Sequence, residues 1–226
     1  MIWMKECIYC NSPVYPLSDG RIKCSKCLKK ISPKRVNKII TLIDSYINDE
    51  SALSCSKRLK ISYVSVQNHY ELFRGLSAKI SEDEYENLRE LQCEYEEYFY
   101  LESSKKLKRE AIFDAHNFLT FDYNNHIYTL LMPSLHQYKV QMIEDKVEDA
   151  YINEFKKFKR ESKIIKVSKH FNNIVKFWEY FEISILKYRG VSVERFAYFL
   201  KEFEFKYNHS KVDAKELLIK EYFKGN

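Results

Sequence analysis

Two pairs of cysteines constrain this 226-residue chain more than any other feature. Cys7-Ile-Tyr-Cys10 and Cys24-Ser-Lys-Cys27 are separated by 13 residues that include Pro13, Pro16 and the Ser18-Asp19-Gly20 turn. A CxxC turn lets two thiolates approach one ion from one side. A hairpin between two such turns completes a tetrahedral four-cysteine shell, the zinc-ribbon arrangement. Four protein ligands leave no open position for water, so zinc is expected here in a structural role. The other reading of these residues is a set of free or redox-active thiols. Cys55 and Cys93 lack partners at ligand spacing and read as small apolar residues.

The charge is unevenly placed. Residues 1–76 carry 13 Lys+Arg against 6 Asp+Glu, whereas residues 77–226 carry 25 against 26. A positive field confined to one small segment attracts polyanions and releases their counterions, which makes double-stranded DNA the leading partner class. The plain alternative is a solvated lysine-rich surface. No apolar run approaches the roughly 18–20 residues that span a bilayer, and Lys5, Glu6 and Cys7 interrupt the amino terminus before a signal-peptide core forms. The expectation is a cytoplasmic protein with no membrane partner.

After Pro33 the pattern is helical. Val36, Ile39, Ile40, Ile43, Tyr46 and Ile47 recur at three- and four-residue steps over residues 34–48. Asp49 is expected to cap a second helix through about Leu59, and Ser62 a third that ends near Gly75, with Val66, Tyr70 and Phe73 inward. Three helices with a short turn before the last read as a helix-turn-helix. In that geometry Tyr63, Ser65, Gln67 and Asn68 are base-reading candidates, and Lys57, Arg58, Lys60 and Arg74 grip phosphates. A three-helix packing or dimerisation module is the alternative. Residues 77–90 are acidic and read as a connection.

Residues 91–101, 111–121 and 126–132 are rich in aromatic and β-branched residues, with a hairpin turn at Asp122-Tyr-Asn-Asn125. Residues 135–158 read as mostly helical and 163–167 as a short strand. Two amphipathic helices follow, with Ile174, Phe177, Trp178, Phe181 and Ile185 on one face of the first. Phe196, Phe199, Leu200 and Phe203 share a face of the second. The fold class is α/β (mixed): a zinc ribbon over 1–33, a helix-turn-helix over 34–76, a connection over 77–90, and over 91–226 a mixed sheet with flanking helices.

This order of parts resembles the bacterial insertion-sequence transposases, mobile-element enzymes with a zinc ribbon, a helix-turn-helix and an RNase H-like DDE domain. The most specific stretch is His170-Phe-Asn-Asn-Ile-Val-Lys-Phe-Trp178, then Leu186-Lys-Tyr-Arg-Gly190, then the run from Arg195 to Asn208. It is similar to the family's H-I-N-G-I-E-x-F-W, K-F-R-G and F-x-x-x-L-K-E-x-E-x-R-F-N. Glu94-Tyr-Glu-Glu-Tyr-Phe-Tyr100 resembles the family's first catalytic strand, and the likeness covers nearly the whole chain.

What the resemblance implies for chemistry is a site in which carboxylates hold two Mg²⁺ ions at a phosphodiester. The first family aspartate falls on Glu96, and Asp149 is the candidate for the second. The third carboxylate falls on Val175, which cannot ligate a metal, with Glu179 one turn later as a substitute. The family's basic residues after the tryptophan are replaced by Glu182, Ile183 and Ser184. The expectation is therefore a nucleoid-associated, transposase-derived DNA-binding protein whose DDE domain has lost strand transfer. The alternative is an active metal-dependent DDE transposase, with Mg²⁺ as cofactor only in that case. A third reading is a protein-interaction module, and a homodimer is compatible with the first.

Overall fold

A computed structural model describes residues 5–101, 113, 115–133, 172–188, 191 and 193–224. Its described residues form a mixed α/β protein with six helices and two three-stranded antiparallel sheets. They divide into two compact units: residues 1–80 with 209–226, and residues 81–208. The expected helix over 135–158 and strand over 163–167 lie outside the described residues, as do Asp149 and His170.

The first unit opens with β1 (Val14–Pro16), β2 (Ile22–Cys24) and β3 (Lys30–Ile31), paired in that order. Three helices follow: α1 (Pro33–Ile47), α2 (Ala52–Leu59) and α3 (Tyr63–Leu88). Ser32 caps α1 by accepting from the Arg35 N–H, and Pro33 sits at its first position, where a missing N–H costs nothing. Ser51, rather than Asp49, caps α2. Asp49 instead adopts a left-handed φ of 56° in the connecting turn. Of the face of α1 expected from its periodicity, Val36, Ile39, Ile43, Tyr46 and Ile47 are buried and Ile40 is half-buried, and Tyr46 meets Tyr70 and Phe73 of α3 edge-on at 5.4 and 5.6 Å.

Two boundaries differ from the sequence reading. α3 does not stop at Gly75 but runs on to Leu88, through much of the expected connection. A glycine inside a helix costs only about 1 kcal/mol, and buried Ser77, Ile80 and Ser81 beyond it continue the inward face. The last helix of the chain also groups with the amino-terminal helices rather than with the 91–226 segment. It carries Ala214, Leu218 and Tyr222 at four-residue steps, all buried, and Lys215 pairs with Asp44 of α1 at 2.6 Å.

In the second unit β4 (Glu94–Tyr100), β5 (His116–Tyr123) and β6 (His126–Leu131) pair in that order. The hairpin turn falls where expected: Asn124 and Asn125 take φ of 53° and 72°, and Asp122 Oδ1 accepts from the Asn125 N–H. Helices α4 (Asn173–Ile185) and α5 (Val193–Asn208) pack on the sheet with both expected apolar faces inward. The chain closes with α6 (Lys211–Lys224), the helix that joins the first unit.

The edge of β6 is closed by side chains. Asn208 Oδ1 accepts from the Ile127 N–H at 2.8 Å and its Nδ2 donates to the Ile127 carbonyl at 2.6 Å, while Glu204 Oε2 accepts from the Thr129 N–H at 2.6 Å. Four residues of helix rise about 6 Å and two of strand about 6.8 Å, so an i, i+4 pair on α5 matches an i, i+2 pair on the edge. Lys201 holds the buried Glu204 carboxylate at 3.0 and 2.9 Å. Edge groups that would otherwise recruit another strand are thereby used up. Asn208→Ala orphans both backbone groups of Ile127 and is expected to cost about 1.5–3 kcal/mol. Urea unfolding reads this as a lower midpoint at unchanged slope, and a loss under about 0.5 kcal/mol would mean that water closes the edge equally well.

Candidate metal centre and nucleic-acid interface

The two knuckles are built alike. The N–H of Cys7 donates to the Ser12 carbonyl at 2.8 Å, and that of Cys24 to the Lys29 carbonyl at 3.1 Å, both five residues ahead. The residue after the second cysteine of each pair, Asn11 or Leu28, is left-handed, with φ of 55° and 61°. This turn aims both thiols of a pair to one side. Asparagine tolerates that conformation, but leucine does not. The need for a left-handed residue at these positions is a feature the sequence reading did not register.

All four Sγ atoms lie within 4.8 Å of one another. Cys7 Sγ is 3.6 Å from Cys27 Sγ, and Cys10 Sγ is 3.4 Å from Cys24 Sγ. A disulfide needs about 2.05 Å, whereas four thiolates about 2.3 Å from one ion stand roughly 3.8 Å apart. Burial pushes the Cys7 thiol up to about 12, so as a bare thiol it keeps its proton. The Ser12 backbone N–H pulls Cys10 down to about 6. At Cys24 burial works upward, but the N–H groups of Cys27 and Lys26, at 3.4 and 3.3 Å from the sulfur, outweigh it and leave the thiol lowered. Four soft donors with amide support fit a thiophilic metal such as zinc. Among the described residues no other group of three or more ligand side chains gathers.

The residues expected to meet DNA divide into two sets. Lys57, Lys60, Tyr63 and Asn68 are exposed, and Ser65 and Gln67 are half-buried. Lys60 ends α2 in a left-handed conformation with φ of 54°, and Ser62 Oγ accepts from the Ser65 N–H to start α3. The two arginines are placed differently. Arg58 is spent on Glu50, at 3.1 and 2.6 Å, and on Ser45 Oγ at 2.7 Å, tying α2 back to α1. Arg74 is buried, 9 % exposed, and is not presented to a phosphate backbone.

Of the residues that the resemblance singles out, Glu94 and Glu96 lie two apart on β4, and Val175 and Glu179 lie on α4. Glu96 pairs across to Thr120, whose Oγ1 accepts from Trp178 Nε1 at 2.9 Å, and Val175 and Trp178 belong to the core beneath α4. Glu94 receives a long contact from Asn172 Nδ2 at 3.4 Å, and Glu96 Oε2 is buried with no hydrogen-bond partner among the described residues. Glu179 is half-buried on α4 and is not gathered with Glu96 into a ligand cluster. Glu182, at one of the positions where the family is basic, accepts from the Tyr98 hydroxyl instead.

No described helix is long and apolar enough to cross a membrane. Comparison with protein-family models, curated proteins and solved structures finds no match. The class defined by the geometry is a mixed α/β protein with a four-cysteine cluster able to hold a metal.

Two outcomes follow. Leu28→Gly relieves the left-handed strain and is expected to stabilise the metal-loaded protein by about 1 kcal/mol. An unchanged urea midpoint would show that the knuckle relaxes around leucine. The second concerns pH. The Arg58 guanidinium holds the Glu50 carboxyl below its usual range, so the pair's stabilisation is full above the ordinary glutamate value and is lost as pH falls through the lower folded value. The stability difference between wild type and Glu50→Gln should be constant above about pH 5 and shrink steadily below about pH 4. A difference that grew on acidification would reverse the assignment.

Proposed function

We propose that the protein is a transposase-derived DNA-binding protein, acting on the nucleoid in the cytoplasm, whose RNase H-like domain no longer performs strand transfer. Zinc on Cys7, Cys10, Cys24 and Cys27 is structural and fixes the ribbon beside the helices. The junction of α2 and α3 carries this reading. The eight-residue α2 ends at Leu59, three residues beginning with the left-handed Lys60 intervene, and α3 begins with Tyr63 and Asn68 exposed on its first turns. That is the connection a helix-turn-helix requires, with the recognition helix entering the major groove by its amino-terminal half. The loss of chemistry is supported by Val175, which lies wholly in the core at the position of the third carboxylate.

A second reading, the active DDE enzyme, draws on one observation, the unpartnered buried oxygen of Glu96. Such an atom suits a cation, but a two-metal displacement needs more carboxylates than one.

Four expectations test the proposal. Protein purified without chelator contains one zinc per chain, and Cys24→Ser loses it and unfolds the ribbon, since structural zinc supplies on the order of 10 kcal/mol. Full-length protein binds duplex DNA. Lys60→Ala weakens binding to every sequence, and Gln67→Ala or Asn68→Ala relaxes the choice at one base pair by about 1–3 kcal/mol. DNA carrying the element's ends is not cut with Mg²⁺ or Mn²⁺. No affinity for any duplex at low salt would remove the DNA reading, and cleavage that vanished in Glu96→Ala would restore the enzyme.

A further inference from the structure

We propose that the main phosphate-binding surface is a strip running from the knuckle hairpin into the first two turns of α1, apart from the residues of the α2–α3 junction. The inference rests on the DNA reading above. Between Gly20 and Ile43 the chain carries eight cations (Arg21, Lys23, Lys26, Lys29, Lys30, Lys34, Arg35 and Lys38) and no acid. Arg21 pairs with Asp19 at 2.5 Å, and Lys29 Nζ lies 4.2 Å over the Tyr9 ring. Lys26, Lys30, Lys34, Arg35 and Lys38 are exposed, and their side chains have no ion pair among the described residues.

Placement says more than number. Lys23 and Lys30 stand directly opposite each other in the β2–β3 pair, where like charges repel. Lys34 and Lys38 are an i, i+4 pair of like charge on a helix. Lys34 and Arg35 occupy the first turn of α1, which holds no acidic residue, so both oppose the helix dipole. Three separate local rules are broken within 16 residues, each at a cost to the free protein, and each cost disappears when a polyanion lies along the strip. Several lysines elsewhere have acidic partners among the described residues. Lys201 pairs with Glu204, Lys206 with Glu202, Lys79 with Glu221 and Lys215 with Asp44. Local violations without internal compensation are characteristic of functional surfaces.

The α2–α3 junction supplies less charge than its sequence suggests, because Arg58 is tied to Glu50 and Arg74 is buried. In the division of roles that results, Lys57 and Lys60 flank the recognition helix while β2–β3 and α1 grip the adjoining phosphates. A continuous run of exposed cations is complementary in charge to the phosphate backbone of a duplex, and a duplex is the partner to which the proposal commits.

The test is the salt dependence of binding to a duplex of random sequence, about 30 bp long, by the full-length zinc-loaded protein. Each phosphate contact contributes about 0.9 to the slope of log K against log salt. Lys34→Ala/Arg35→Ala/Lys38→Ala is expected to lower the slope by about 2–3, and Lys26→Ala/Lys30→Ala by about 2, with zinc content and helix content unchanged. Lys34→Arg/Lys38→Arg should keep the wild-type slope. If wild type binds, Lys60→Ala weakens it, and the triple variant shifts the slope by less than about 0.5, the strip is overturned and the DNA reading stands. If wild type shows no affinity for the duplex at low salt, both fall. Tighter binding to single-stranded RNA or to phosphatidylserine vesicles, lost in the same triple variant, would overturn the choice of duplex.

Discussion

A sheet of three short strands, the longest of three residues, buries too little apolar surface to repay the ordering of some 30 residues. The convergence of Cys7, Cys10, Cys24 and Cys27 therefore decides whether the amino-terminal hairpin exists at all. Its Lys23–Lys30 pairing makes the dependence sharper, because those strands meet against charge repulsion. Held together, the hairpin delivers the chain through Ser32 into α1, and the position of every cation from Lys23 to Lys38 follows from that closure. Metal binding and the placing of positive charge are thus one problem, even though the thiols contribute no contact to a partner.

The second unit solves a different problem, that of a sheet edge. The run from Arg195 to Asn208, one of the segments on which the proposed resemblance to the transposases rests, contains the residues that solve it. Lys201 and Glu204 clamp Thr129, Lys206 neutralises the buried Glu202, and Asn208 takes both backbone groups of Ile127. Carboxylates committed to buried ion pairs are unavailable for metal, and burial raises the pKa of Glu204 against the opposing pull of Lys201 and Thr129. The likeness therefore bears more strongly on how α5 meets β6 than on what chemistry the unit performs.

Much of the fold was legible because the signals were local. The cysteine spacing, the Asp122–Asn125 turn, and the apolar stripes of α1, α4 and α5 each depend on residues within a few positions of one another. The misreadings came where distant partners intervened. Gly75 reads as a stop until Ser77 and Ile80 are seen to be buried beyond it. The return of α6 to the first unit has a visible stripe in Ala214, Leu218 and Tyr222, yet nothing in a stripe names the surface it will cover. For the site the same division holds: the thiols announce themselves, whereas the cost of Leu28 at a left-handed φ emerges only from the backbone.

On the proposed reading, Val175 joins stability to the loss of chemistry. It is fully buried between Ile174 and Phe177 on a helix whose inner face also carries Trp178 and Phe181. A glutamate there would have to be repaid by metal, since an unpaired carboxylate in such surroundings costs several kcal/mol. Once the metal is lost, that carboxylate is a liability to folding and an apolar β-branched residue removes it. The Glu182 carboxylate, at a position that the resemblance implies to be basic, accepts from the Tyr98 hydroxyl. On the proposed reading, each change trades a group useful only during phosphodiester chemistry for one that stabilises the resting fold. The uncompensated cations of the first unit run the other way, since there the stability cost has been kept.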